Sequence, residues 1–189
     1  MTKITLPNVC VFFILLGSSH AMLAQGVGYH APRNFIPVDL MSFFVTSEPI
    51  GDGGNLGGLE GADAHCQRLS TNVGAGHRTW QAYLSTQARP GKPAINARDR
   101  IGDGPWYHAR GVLRRPIIKS EIHGDTLIEA QRGANMFKAF ALTEKGNEIN
   151  GVGDPMPNLH DILTGTQPDG RAFTDSADRT CNNWTSNNE

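Results

Sequence analysis

The stretch FFVTSEPIGDGGNLGGLEGADAHCQRLSTNVGAGHRTWQAYLS, residues 43–85, decides the fold of this chain. Strand-forming residues open it at 43–46, and apolar and polar residues alternate at its end, at 80–84. Between them, apolar residues recur at offsets of three and four, which predicts one amphipathic helix over about 59–73. Gly74 lies where a left-handed C-terminal cap is expected. The apolar face of this helix consists of Leu59, Ala62, Cys66, Leu69 and Val73.

The first 24 residues predict a secretory signal peptide. Lys3 supplies a short positive region, residues 9–16 form an apolar run, and small residues permit cleavage after Ala21 or Ala24. This run is too short to cross a bilayer. We therefore expect an exported chain, secreted or periplasmic, without a membrane span. A lead-in segment at 25–37 precedes one domain over 38–189.

The charge balance argues against nucleic acid as a partner. The chain has 17 basic and 18 acidic residues, and Lys3 is the only charged residue in 1–24, so 16 basic residues face 18 acidic ones after cleavage. A net charge of −2 gives no electrostatic attraction to nucleic acid or to an anionic membrane.

Motifs of common enzyme classes are absent from the sequence. It contains no Gly-x-Ser-x-Gly elbow, phosphate-binding loop, His-Glu-x-x-His helix or Cys-x-x-Cys pair. We therefore expect a non-enzymatic binding domain. One alternative is an exported enzyme that acts on cell-wall or polysaccharide material through His160 and Asp161. Another is a structural or adhesive module of the cell envelope.

Several short motifs together resemble bacterial secreted proteins of the C-type-lectin-like superfamily, in the branch similar to endostatin. The resemblance covers about residues 40–186. The short mixed strands, one main helix and long loops that the sequence predicts favour an α+β fold over a wound parallel sheet. The resemblance implies that this fold is C-type-lectin-like and similar to endostatin. The motifs are Gly57-Gly58-Leu59, Gly61-Ala62-Asp63 with Cys66, Arg78-Thr79-Trp80, Ala97 to Gly102, Ala141 to Gly146, His160 to Gly165, Asp169-Gly170-Arg171, and Thr180-Cys181 with Trp184.

Two cysteines, Cys66 and Cys181, follow the predicted signal peptide, and export favours disulfides. By count they can pair with each other. The resemblance implies instead that each pairs with a cysteine in closing strands that would lie beyond Glu189. On this basis we expect the domain in this chain to be incomplete at its C-terminus.

The resemblance also implies a ligand, either a glycan or an extracellular protein. Gln167-Pro168-Asp169 is the tripeptide that marks galactose-type calcium sites in sugar-binding C-type lectins, and Ca²⁺ prefers such oxygen ligands. A simple Pro-Asp-Gly turn is the competing interpretation. The candidate ligand-binding residues are Gln167, Asp169, His160 and Asp161. The candidate calcium ligands are Gln167, Asp169 and Asp154, and no other cofactor is expected.

Overall fold

The computed structural model of the chain describes residues 8–11, 40–110, 118–124, 138–139, 141–159 and 161–188. One 15-residue helix and several short elements are joined by long loops, so the expected short strands, single main helix and long loops are confirmed in this coarse form. None of the described helices is long and apolar enough to cross a membrane. The elements are β1 (Asn8–Val11), β2 (Phe43–Val45), α1 (Gly58–Asn72), β3 (Trp80–Ala82), α2 (Ala97–Arg100), α3 (Lys119–His123) and α4 (Cys181–Trp184).

The three strands form a parallel sheet in the order β2-β1-β3. Helix α1 connects β2 to β3, and both strands pair with β1 between them. This part of the chain is therefore a parallel crossover unit, which differs from the arrangement expected from the sequence. The difference arises because the central strand lies within residues 1–24, which the sequence analysis assigns to a signal peptide. In the register, Cys10 lies opposite both Phe44 and Ala82.

Helix α1 confirms the helix predicted over 59–73, shifted by one residue. Its end is the predicted glycine cap: Gly74 has a φ of 86°, its N–H donates to Thr71, and the Ala75 N–H donates to Ser70. These two hydrogen bonds form a Schellman motif, which supplies donors to carbonyl groups at the helix end that have no donor within the helix. His65 is also buried, although the pattern placed it away from the apolar face.

The apolar core lies on both faces of the sheet. Successive side chains of a strand point to opposite faces, so Phe44 packs on the α1 side while Phe43 and Val45 pack on the other. The α1 side is filled by a cluster that contains Cys10, Met41, Leu56, Ala62, Cys66, Leu69, Trp80, Ala82, Leu84 and Trp184. The opposite side contains Val11, Tyr83, Ala97, Ile101, Trp106, Ile122 and Ala141.

A disulfide joins Cys10 of β1 to Cys66 of α1. Cys181 forms no disulfide. Neither the Cys66–Cys181 bridge suggested by the count of cysteines nor the pairing of Cys66 with a later cysteine occurs here. Cys10 was not expected as a partner, because it lies in the predicted signal peptide. That assignment, and export itself, remain predictions.

Candidate functional site

Gln167 and Asp169 lie together in one tight turn. The Gly170 N–H donates to the Gln167 carbonyl oxygen at 2.8 Å, and the Gln167 N–H donates to the Arg171 carbonyl oxygen at 2.8 Å. Gly170 has a φ of 80°, and a Cβ atom there would collide with the His123 ring. The Pro-Asp-Gly turn expected as the simpler interpretation is therefore present.

The carboxylate of Asp169 is engaged within this turn. One oxygen accepts from the Arg171 N–H at 3.0 Å and the other from the Arg171 guanidinium at 2.6 Å. Burial acts to raise the pKa of Asp169, but these bonds from Arg171 outweigh it, and the pKa lies below its ordinary value. The Gln167 side-chain amide donates to the Ala172 carbonyl oxygen at 2.9 Å.

The other candidate residues are distributed over separate loops. Asp154 lies in the turn at 151–154, where its carboxylate accepts from the Gly151 N–H at 2.7 Å and from the Lys138 ammonium. Asp161 is exposed, and His160 lies outside the described residues. Within the described ranges, no three His, Cys, Asp or Glu side chains are grouped to hold a metal ion. Calcium binding at Gln167, Asp169 and Asp154 therefore stays a prediction.

A buried glutamine, Gln87, holds a different loop in place. Its side chain is almost fully buried, and its Nε2 donates to the Ala177 carbonyl oxygen at 2.9 Å. Its Oε1 accepts from the Arg179 N–H at 2.6 Å. A buried amide must be hydrogen-bonded to offset its loss of water. Gln87 meets this need by binding the main chain of the loop at 173–180, which it fixes in one position.

Helix α4 fixes Gln87 in turn. Asn183 accepts the Gln87 N–H at 2.8 Å and donates to the Gln87 carbonyl oxygen at 3.0 Å. The buried Trp184 indole donates to the Ser85 carbonyl oxygen at 2.8 Å. All four residues of α4 have positive φ, a left-handed conformation that asparagine tolerates better than most residues. Two loops distant in sequence are thus joined by the buried Gln87 side chain and the half-buried Asn183 side chain.

A cavity of about 180 Å³ lies between these two loops, lined by residues 87–89 and 173–178, and we call it the loop cavity. Its charged groups occur in pairs. The Arg89 guanidinium lies 3.4 Å from an Asp178 oxygen, and the Arg179 guanidinium lies 2.9 Å from an Asp175 oxygen. Arg179 also lies over the Phe173 ring, 5.4 Å from its centroid. The cavity lining therefore combines an aromatic ring with charged groups that are each ion-paired.

Asp178 has a structural role at the rim of the loop cavity. Its carboxylate accepts from the N–H groups of Thr180 at 3.0 Å and Asn182 at 2.6 Å. Burial acts to raise the pKa of Asp178, but these bonds outweigh it and the pKa lies below its ordinary value.

The Cys181 thiol is disfavoured as a nucleophile. Burial raises its pKa, and the nearby Asp178 charge raises it further.

Comparison with known proteins adds no assignment. No protein family, no curated protein and no solved structure matches this chain. The resemblance to C-type-lectin-like and endostatin-like proteins therefore stays a prediction.

The loop cavity was not predicted from the sequence. Residues 173–178 read Phe-Thr-Asp-Ser-Ala-Asp, which has the composition of an ordinary loop and no chemical motif. Gln87 is a single polar residue at the start of a Pro- and Gly-containing loop. The sequence signal for this cavity is weak. A polar residue directly after the buried run at 82–86 must find hydrogen-bond partners, but the sequence does not show which residues supply them.

Proposed function

We propose that this chain is an exported, non-enzymatic domain that binds carbohydrate at the cell envelope or outside the cell. The observation that supports it is the pair of loops fixed by Gln87 and Asn183. The buried Gln87 and half-buried Asn183 side chains use their hydrogen bonds to hold main chain, while residues with charged and hydroxyl groups line the loop cavity. Polar groups displayed on loops that a rigid scaffold positions are typical of binding sites.

The test is binding of the purified full chain to an array of immobilised glycans, with and without calcium. We expect a reproducible signal for a restricted set of glycans. If Gln167, Asp169 and Asp154 hold calcium, the ion raises the melting temperature and a chelator removes the glycan signal. A calcium-independent signal supports carbohydrate binding without the calcium site.

A variant at His160 separates binding from the enzymatic alternative. If the chain is a binding domain, no array glycan should be cleaved during incubation by the wild type or by His160→Ala. Cleavage that is lost in a folded His160→Ala chain would support the enzyme instead. A blank array, together with capture of an envelope protein, would support the adhesive module and refute the proposal.

A further inference from the structure

We propose that the loop cavity is a metal-independent site for a single neutral sugar ring, bound by Arg89, Thr174, Asp175 and Ser176. This inference rests on the proposed carbohydrate binding and deepens it by naming the site. It places binding away from the Gln167-Pro168-Asp169 turn to which the sequence pointed.

Size is the first argument. Pockets for drug-sized ligands measure about 300–1,000 Å³, so a cavity of about 180 Å³ takes a smaller molecule. One pyranose ring, with about a dozen non-hydrogen atoms, is a ligand on this scale, whereas an oligosaccharide can place only one of its units inside.

Charge is the second argument. The lining carries the charged residues Arg89, Asp175 and Asp178. Arg89 is paired with Asp178, and Asp175 is paired with Arg179, which lies outside the lining. An anionic ligand would meet both carboxylates, and a cation would meet the Arg89 guanidinium. A neutral ligand is repelled by neither. Because each charged group of the lining is already paired, an ionic ligand gains no free partner there, which favours a neutral polar ligand.

Hydrogen bonding is the third argument. The hydroxyl groups of Thr174 and Ser176, and one carboxylate oxygen of Asp175, make no hydrogen bond to any residue in the described part of the chain. The Arg89 guanidinium uses one nitrogen for Asp178 and keeps its other N–H groups as donors. The cavity thus presents donors, acceptors and groups that act as both. A sugar hydroxyl is itself both donor and acceptor, so neighbouring hydroxyl groups on one ring match this set.

The site is formed before a ligand arrives. Gln87 holds the main chain at 175, 177 and 179, and Asp178 holds that at 180 and 182. Binding therefore requires little further ordering of the loop, and this small entropy cost favours affinity for a small ligand. A ligand with so few atoms still binds weakly, and we expect a dissociation constant on the order of 1 mM.

The experiment is ligand-detected NMR titration of the oxidised full chain with methyl glycosides of glucose, galactose, mannose and N-acetylglucosamine. At least one should bind, and a chelator should not change its dissociation constant. Arg89→Ala should weaken that binding about tenfold, since a charge-assisted hydrogen bond is lost. Lys92→Ala is the matched control, because it removes the same charge from the same turn without lining the cavity, and it should change nothing.

Thr174→Val is the second variant, because it keeps the side-chain shape, removes one hydroxyl group and leaves the buried anchors untouched. It should also weaken binding severalfold. Wild-type affinity in both Arg89→Ala and Thr174→Val would overturn this site while leaving carbohydrate binding intact. Binding that disappears with the chelator would likewise overturn it in favour of a calcium site. If neither the glycosides nor the glycan array gives a signal, both proposals fall.

Discussion

The Asp63 side chain is hydrogen-bonded to main chain at one edge of the sheet, on strand β3. The Ala82 N–H and carbonyl oxygen point away from β1, toward the open side of β3. Asp63 on α1 accepts that N–H at 2.7 Å, and the Arg100 guanidinium donates to the Ala82 carbonyl oxygen while binding Asp63 at 2.7 Å. An unpaired strand edge invites association with other chains. Two side chains from different helices therefore take the place of a fourth strand at this position.

His65 is the buried residue on α1 whose protonation matters for stability. It is 6% exposed, and its Nε2–H donates to the Glu48 carbonyl oxygen at 2.9 Å. Its Nδ1 accepts from the Arg68 guanidinium at 3.0 Å, since arginine only donates. Burial lowers the pKa of His65 below its ordinary value of 6.5, and the Arg68 charge acts in the same direction against the bond to Glu48.

The first prediction is a loss of stability in mild acid. Because the folded-state pKa of His65 is depressed, the unfolded chain takes up the proton first as the pH falls below about 6.5. The contribution of neutral His65 is complete above that pH and is lost as the pH falls toward the folded-state pKa. Through this one group, the free energy of unfolding falls by at most about 1.4 kcal/mol for each pH unit. Urea unfolding of the wild type between pH 7.5 and 5 measures it.

The control for this prediction is His65→Gln, which keeps a polar side chain but cannot titrate. The difference in unfolding free energy between wild type and variant should be constant above pH 7 and should shift against the wild type below 6.5. Comparing the two chains cancels the titration of the remaining histidines. A difference that does not change with pH would show that His65 titrates alike in the folded and unfolded chains.

At the scale of elements, the sequence predicted the parts whose signals are local. The offsets of Leu59, Cys66 and Val73 predicted α1 to within one residue, and Gly74 predicted its cap. A helix face and a left-handed cap are determined by residues a few positions apart. The position of β1 depends on pairing with β2 and β3, whose partner residues lie 34 and 72 positions away in sequence. An eight-residue apolar run is compatible with a strand and with a signal peptide, and composition alone does not choose between them.

The second prediction concerns the Cys10–Cys66 disulfide as the link between β1 and α1. It closes a loop with a sequence separation of 56, and removing a cross-link of this span costs about 4 kcal/mol in the chain-entropy model. Cys10→Ser and Cys66→Ser should each lower the unfolding free energy by roughly that amount under non-reducing conditions. Combining the two substitutions should cost little more, since both remove the same bond.

Cys181→Ser is the matched control, because Cys181 forms no disulfide and is only partly buried. It should change the unfolding free energy by less than about 1 kcal/mol. Wild-type protein kept in reducing agent should unfold like Cys10→Ser. Equal stability of Cys10→Ser and wild type in oxidising buffer would show that Cys66 is not bridged to β1 in solution.

At the scale of the whole molecule, the sheet and the loop face were unequally predictable. The sheet core follows from apolar patterning, whereas the loop cavity depends on Gln87 reaching Ala177 and on Asn183 reaching Gln87, contacts that span about 90 residues. The candidates at 167–169 were found because they form a contiguous motif. The groups around the cavity come from two separate stretches, and only the folded chain brings them together.

The third prediction concerns the fate of residues 1–24, which carry both the predicted signal and the central strand. Cleavage after Ala21 or Ala24 would cut the main chain between Cys10 and Cys66, the two ends of the disulfide. A segment cut there stays covalently attached as long as that bond is intact, and β1 stays paired on both sides. Intact mass measured without reductant should therefore include residues 8–11, whether or not the chain is cut. Reductant should release an N-terminal fragment only from a cut chain. A folded, exported product that starts at residue 22 or 25, carries no attached fragment and has a free Cys66 thiol would show that β1 is not part of the mature sheet.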